Sequence, residues 1–198
     1  MSGGISGSYN SARIAANELA EEFPDRRILT FDTETASLGE GLQVLEAARL
    51  RDEGRDAEAV LASLQNSRAD MCSFFTVDDL IHLKRTGRVS IAAAVVGTVL
   101  HMKPILRGLN GKIIAFHKVR GRRAAVKELA DQYLSRVTDW AGQTIGIAHA
   151  ACKEDVDKLI ELISEKMPAK ILTVKYEPVT GSHVGPGALA LFFRGKAT

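Results

Sequence analysis

Three short stretches of this 198-residue chain carry the residue types that could do chemistry. The first is Gly181-Ser182-His183-Val184-Gly185-Pro186-Gly187, followed at once by the apolar run Ala188 to Phe193. Its glycines and proline let backbone pass close to a ligand, and one histidine sits among them. The stretch is expected to be a loop that holds the polar head of a small ligand. The second is Ser2-Gly3-Gly4-Ile5-Ser6-Gly7-Ser8-Tyr9, directly before an apolar-periodic segment. Small residues there leave hydroxyls and backbone N–H groups at a helix start, which suits an anion. The same residues equally describe a plain capped helix with Ser8 as N-cap. The third is Lys84-Arg85-Thr86-Gly87-Arg88-Val89-Ser90, a basic turn whose arginine forks match carboxylate or phosphate. It also reads as a helix C-terminus with dipole-favoured cations.

Several catalytic templates fail. No Gly-x-x-x-x-Gly-Lys-Ser/Thr loop and no Gly-x-Ser-x-Gly elbow is present. His82, His101, His117, His149 and His183 show no metal-type spacing with carboxylates or cysteines, so no metal is expected. Ser6 and His183 could pair, but no third residue is evident to orient the histidine. Binding is therefore favoured over hydrolysis. The alternative is an enzyme that acts on an acyl or phosphate substrate through Ser6, His183 and Arg88.

The elements that must position these loops follow from periodicity. Helices are expected over 11–23 (Ala12, Ala15, Ala16, Leu19, Phe23 on one stripe), 38–53, 56–68, 78–85 and 153–167, with another on Val126, Leu129, Tyr133 and Leu134. Thr76 is the expected cap of the fourth. Ile91 to Leu100, apolar on every side, reads as a buried helix. Strands are expected at Arg27–Asp32, Met71–Val77, Thr144–His149, Lys170–Tyr176 and Gly187–Arg194. Lys103–Leu106 and Lys112–Val119 flank Asn110-Gly111, a strong hairpin signal. The pattern is α/β, with an N-terminal α/β layer over 1–70 and a C-terminal α+β domain over 71–198.

The bulk numbers are those of an ordinary globular chain, 45% hydrophobic and 25% charged. The longest apolar run falls well short of the roughly 18 residues a membrane span needs, so no stable membrane insertion is expected. Met1-Ser2-Gly3-Gly4 lacks a basic region followed by an apolar core, so a cytoplasmic protein with reduced Cys72 and Cys152 is expected. Charge is uneven. Residues 1–80 carry 7 basic and 15 acidic side chains, a net of −8, whereas 81–130 carry 11 basic and 1 acidic, a net of +10. Such a field attracts phosphates, nucleic acid or an acidic surface. Trp140 and the three tyrosines do not interleave with it, so nucleic acid is not expected as a partner.

Taken together, the stretches resemble the DegV family of bacterial fatty-acid-binding proteins. The resemblance rests on Ser6-Gly7-Ser8-Tyr9-x-Ser11-Ala12 and on Ala36-Ser37-x-Gly39-x-Gly41. It continues through Phe75-x-Val77-x-Asp79-Leu80-x-x-Leu83-Lys84-Arg85-x-Gly87-Arg88-x-Ser90 and Lys103-Pro104-Ile105-Leu106. Asn110-Gly111, Lys118-x-Arg120-Gly121 and His183-x-Gly185-Pro186-Gly187-Ala188 complete it. Family members usually begin with a further strand, helix and Thr-Ser loop, so the resemblance implies an N-terminal layer that is incomplete here. It implies a non-catalytic carrier with no cofactor, holding one long-chain fatty acid as ligand. The carboxylate would meet Ser6, His183 and Arg88, less directly Arg85. The acyl tunnel would be walled by Ile91, Val95, Leu100 and Phe192. Arg120, Arg122 and Arg123 would face a separate fatty acid kinase subunit.

Overall fold

Along Leu189-Ala190-Leu191-Phe192-Phe193-Arg194, alternate side chains enter two different cores. Leu189, Leu191 and Phe193 join one cluster, and Ala190 and Phe192 join another. A strand buried on both faces must be apolar throughout, which is why this run shows no polar alternation. In the computed structural model, which describes residues 1–88, 101–167 and 169–196, this strand (β6, Leu189–Arg194) lies inside a six-stranded sheet.

The other strands are β1 (Met71–Thr76), β2 (Met102–Leu109), β3 (Lys112–Arg120), β4 (Thr144–His149) and β5 (Lys170–Lys175). Their order is β3-β2-β1-β6-β4-β5, and only β4 and β5 pair in parallel. A parallel pair needs a crossover, supplied by α6 (Lys153–Ser164). β2 and β3 are joined by Asn110 and Gly111 at φ 49° and 72°. Two successive positive φ angles are what a two-residue hairpin turn requires, and Asn-Gly accepts them at least cost.

One sheet face is sealed by α5 (Arg122–Arg136) and α6. Val126, Leu129 and Tyr133 pack with Val156, Leu159 and Ile163 onto Phe74, Ile145, Ile147 and Phe193. Tyr133 meets Phe193 edge-on at 5.1 Å, and Phe74 stacks on Phe193 at 6.2 Å. Burial of each such side chain contributes about 1.5–3 kcal/mol. The opposite face takes α2 (Leu38–Asp52) through Leu38 against Ala148, Ala190 and Phe192. Near it, Val77, Leu83, Leu106, Val184 and Ala188 form a smaller cluster under α4 (Leu80–Arg85) and α7 (Pro178–Val184). The remaining helices, α1 (Ser8–Glu22) and α3 (Ala57–Ser67), belong to the first 70 residues.

Three sequence expectations are corrected. Arg27–Asp32 is not a strand: it joins no ladder, and residues 27–31 make no backbone–backbone hydrogen bond among the described residues. A β-rich composition makes a strand only where a neighbour supplies the ladder. Gly181–Gly187 is not all loop, because α7 runs to Val184 and carries His183 in its last turn. The helix starts there because Glu177 accepts from the N–H groups of Val179 (2.6 Å) and Thr180 (2.8 Å), with Pro178 in the first turn. Finally, α4 is capped by Asp79, which accepts from Ile81 N–H at 2.8 Å, rather than by Thr76. Thr76 is fully buried in β1. The expected helix Ile91–Leu100 lies outside the described residues.

Candidate functional site

The Ser2–Gly7 loop is held in place before its helix begins. Ser2 is fully buried, donates its hydroxyl to Gly111 O at 2.6 Å and its N–H to Thr35 O at 2.8 Å, and accepts from Gly4 N–H at 3.1 Å. Gly4 lies so close to the hairpin turn that a Cβ on it would strike Gly111 O, so the loop and the β2–β3 hairpin meet backbone to backbone. This contact sets Ser6 beside Lys112 and Ile113 on a shared cavity wall. The Ser6 hydroxyl accepts from Ser8 N–H at 3.2 Å and lies 3.0 Å from Ser8 Oγ. It thereby caps the first turn of α1, whose N-cap position is Gly7 rather than Ser8.

The second wall is the turn Thr33–Ser37. Thr33 and Thr35 are buried, and Glu34 and Ser37 sit in the left-handed region at φ 52° and 53°. Backbone strain of this kind persists only where surrounding structure imposes it, and it gathers at ligand clamps. Gly39 is part of the reason. A Cβ there would strike Thr35 Oγ1 and the Phe192 ring, so α2 can begin this close to β6 only with glycine at that position. Burial pushes the Tyr176 phenol well above its ordinary pKa, only partly offset by its hydrogen bond to Ser37.

Around these elements lies a cavity of about 350 Å³. That is within the usual range for small-ligand sites. Phe75, Ile113, Val184, Ala190 and Phe192 give it a largely apolar lining. Ser6, Arg88 and His183 all reach it, from the first loop, the residues after α4 and the last turn of α7. His183 Nδ1 is buried and makes no hydrogen bond among the described residues. A buried polar atom of this kind calls for a partner. No hydrogen bond links Ser6 to His183, and Ser6 turns to Ser8 instead.

Of the other site residues read from sequence, Phe192 lines the cavity, whereas Phe193 points to the opposite face of the sheet. Arg85 is exposed on the last turn of α4 and is not part of the lining. Ile91, Val95 and Leu100 lie outside the described residues. Arg120 and Arg123 are exposed. Arg122 is not a free surface cation. Its guanidinium pairs with Asp155 at 2.8 Å and approaches Asp78 at 3.5 Å, tying α5 to α6 and to the start of α4. Thr35, Ser37, Ser73 and Tyr176 line the cavity without having been singled out. Ser37 was visible within Ala36-Ser37-x-Gly39-x-Gly41, but its left-handed backbone was not.

Two other hollows are less suited to an apolar ligand. One, of about 760 Å³, is rimmed by Asp78, Asp79, Lys153, Glu154 and Asp155. The other, of about 400 Å³, is lined by Glu46, Arg49, Gln143 and Arg194 among others. Among the described residues, no group of three or more His, Cys, Asp or Glu side chains is placed to hold a metal ion. No helix there is long and apolar enough to cross a membrane.

Comparison with known proteins agrees with this geometry. The chain matches a family model described as an uncharacterised protein of the DegV family over residues 1–196. A DegV domain-containing protein of Clostridium perfringens is 41% identical over 197 residues, covering 98% of this chain and 68% of the relative. The chain thus spans about two thirds of that relative's length. A DegV family protein from Thermus thermophilus, whose structure is described as showing fatty acid binding, superposes with a TM-score of 0.84. It shares 33% identity over 98% of this chain and 69% of its own. A fatty acid binding DegV family protein from Streptococcus agalactiae gives a TM-score of 0.85 at 29% identity, over 97% of this chain and 67% of that one. With a family model that spans nearly every residue and relatives this similar, the chain belongs to the DegV family.

Proposed function

We propose that this protein binds one long-chain fatty acid in the cavity between the Ser2–Gly7 loop, the Thr33–Ser37 turn and the β1–β6 face of the sheet. The observation that carries the reading is the convergence of Ser6, Arg88 and His183 on a mainly apolar cavity, with His183 Nδ1 buried and unpaired among the described residues. The two structural relatives described above are both fatty-acid binders by their descriptions, which supports the ligand class.

Affinity in such a site comes mostly from the tail. Each buried methylene contributes about 0.8 kcal/mol, and Phe75, Ile113 and Phe192 offer it an apolar wall. The polar groups set direction. Arg88 supplies charge, and Ser6 and His183 supply hydrogen-bond donors to the carboxylate. Ser6 can swing its hydroxyl from Ser8 to the ligand without leaving the helix start. Arg85, outside the cavity, is not part of this set. In this reading residues 1–70 and 71–198 act as the two units that enclose the head group.

The protein is then a carrier and not a catalyst. The exposed Arg120 and Arg123 fit the face presented to a separate kinase subunit, which would phosphorylate the held carboxylate. Arg122 serves the fold instead, through Asp155 and Asp78.

The test is solvent extraction of the purified, folded protein followed by mass spectrometry. Close to one fatty acid per chain is expected. His183→Ala and Ser6→Ala should each weaken rebinding by about 10- to 100-fold, the range for a hydrogen bond to a charged group. A folded protein that carries no fatty acid and takes up none when it is added would overturn the reading.

A further inference from the structure

The last turn of α7, which carries His183, leaves one backbone acceptor without its regular partner. In a helix the carbonyl of residue i accepts from the N–H of residue i+4, and Gly181 O accepts in this way from Gly185 N–H at 2.9 Å. Ser182 O would take the next bond from residue 186, but that residue is proline and has no N–H. Among the described residues, the group that meets this carbonyl comes from another helix: His82 Nε2 of α4 lies 2.5 Å from Ser182 O. A carbonyl oxygen only accepts, so Nε2 carries the hydrogen and donates it. The His82 ring also packs on the helix end. A Cβ on Gly185 would come within 3.2 Å of it, at a position whose φ of 76° favours glycine.

We propose that His82 is a positioning residue for His183, setting that side chain from the helix that leads to Arg88. This rests on the reading of His183 as a donor to the fatty-acid carboxylate. His82 lines the outer hollow with Asp78, Asp79 and Gly185 and is not among the residues of the apolar cavity, so it acts through Ser182 and not on the ligand. The Ser182 carbonyl and the His183 N–H belong to one planar peptide unit. A bond that holds this carbonyl therefore also fixes where His183 starts. On its other side, His82 O accepts from Thr86 N–H at 3.3 Å, and Thr86 O accepts from the Arg88 guanidinium. His82 thus stands between the histidine and the arginine that reach the cavity from separate segments. Neither helix is long enough to hold its own geometry. α4 has six residues and α7 seven, well below the length at which a helix is stable alone.

The test uses the full chain with palmitate as the probe. His82→Phe keeps a ring against Gly185 and removes the donor, whereas His82→Gln puts an amide N–H near the place of Nε2–H. His82→Phe should weaken palmitate binding about tenfold, and in the ligand-free chain it should hasten exchange of the Gly185 amide hydrogen by about the same factor. His82→Gln should restore most of both. In a His183→Ala background, His82→Phe should weaken binding by less than about threefold, because the side chain it positions is gone. Equal losses in the two backgrounds overturn the proposal, since a general prop of the fold would act whether or not His183 is present. So does a His82→Phe chain that binds and exchanges like the native one, or a His82→Gln chain no better than His82→Phe. A native chain that takes up no palmitate overturns the fatty-acid reading, and the Gly185 exchange rate then decides for or against His82 by itself.

Discussion

On one side of the sheet, Tyr133, Phe193, Leu129, Leu159 and Ile163 are fully buried between β-strands and the α5–α6 pair. In the first 70 residues the helices are as long, but Ala16, Leu38, Leu50 and Leu64 are the only buried apolar side chains there. Seven large apolar side chains of that region are exposed, against four in all the described residues after it. Both regions hold helices with an apolar stripe, on Leu19 and Phe23 in one and on Val156, Leu159 and Ile163 in the other. They differ in whether a second layer lies opposite the apolar stripe. Strand neighbours bring α5 and α6 onto a sheet, whereas α1 contributes no residue to any of the buried clusters among the described residues. The candidate site sits where the two regions meet, so its polar loops are fixed from the well-packed side. The Asn110-Gly111 turn holds Ser2, and the Phe192 ring crowds Gly39.

The largest effect that could break this contrast is a matched pair of truncations. Leu159→Ala should cost about 2–5 kcal/mol in urea unfolding, as large-to-small changes in sealed cores do. Leu19→Ala, measured at dilute protein, should cost within about 0.5 kcal/mol, as exposed sites do. Equal costs would mean that α1 is packed as firmly as α6. A smaller effect sharpens the comparison at α3. Asp56 accepts from Ala59 N–H at 2.7 Å, and Asp56→Ala should cost about 1 kcal/mol, detectable as a shifted melting curve. No shift would show that α3 is held by packing and not by its cap. The smallest effect lies in the well-packed region and depends on pH. Burial, then Lys175 and Lys153, hold His149 below the usual histidine pKa, and its Nδ1 accepts from Cys152 N–H at 3.3 Å. The folded state therefore disfavours the added proton. Stability should be full above the ordinary value of about 6.5 and decline slightly as pH falls through it, levelling off below the folded pKa. His149→Gln should flatten that slope, and an unchanged slope would place the proton elsewhere.

Much of the fold was legible because its signals are local. The stripe on Val126, Leu129 and Tyr133 located α5, the Asn110-Gly111 pair located the hairpin, and the unbroken apolar run located β6. Of the proposed site, Ser6, Arg88 and His183 stood out as polar residues in glycine-bearing loops, and the cavity does gather them. Thr35, Ser37, Ser73 and Tyr176 did not, because nothing in their spacing tells which of many polar side chains faces a cavity. Arg122 was expected beside Arg120 and Arg123 on a face toward a kinase subunit, and nothing in its local spacing shows that Asp155 and Asp78 lie around it.

The sequence by itself thus determined which segments can be helix or strand, where the chain turns and which loops carry donors. These depend on propensity and on periods of 2 and 3.6 that a few neighbouring residues express. Only the tertiary structure decided that Phe192 faces the cavity while Phe193 enters the core, that Pro178–Val184 winds into a helix under His183, and that Arg27–Asp32 stays without a ladder. Each of these depends on partners distant in the chain, and local pattern holds no record of which partners a segment will meet.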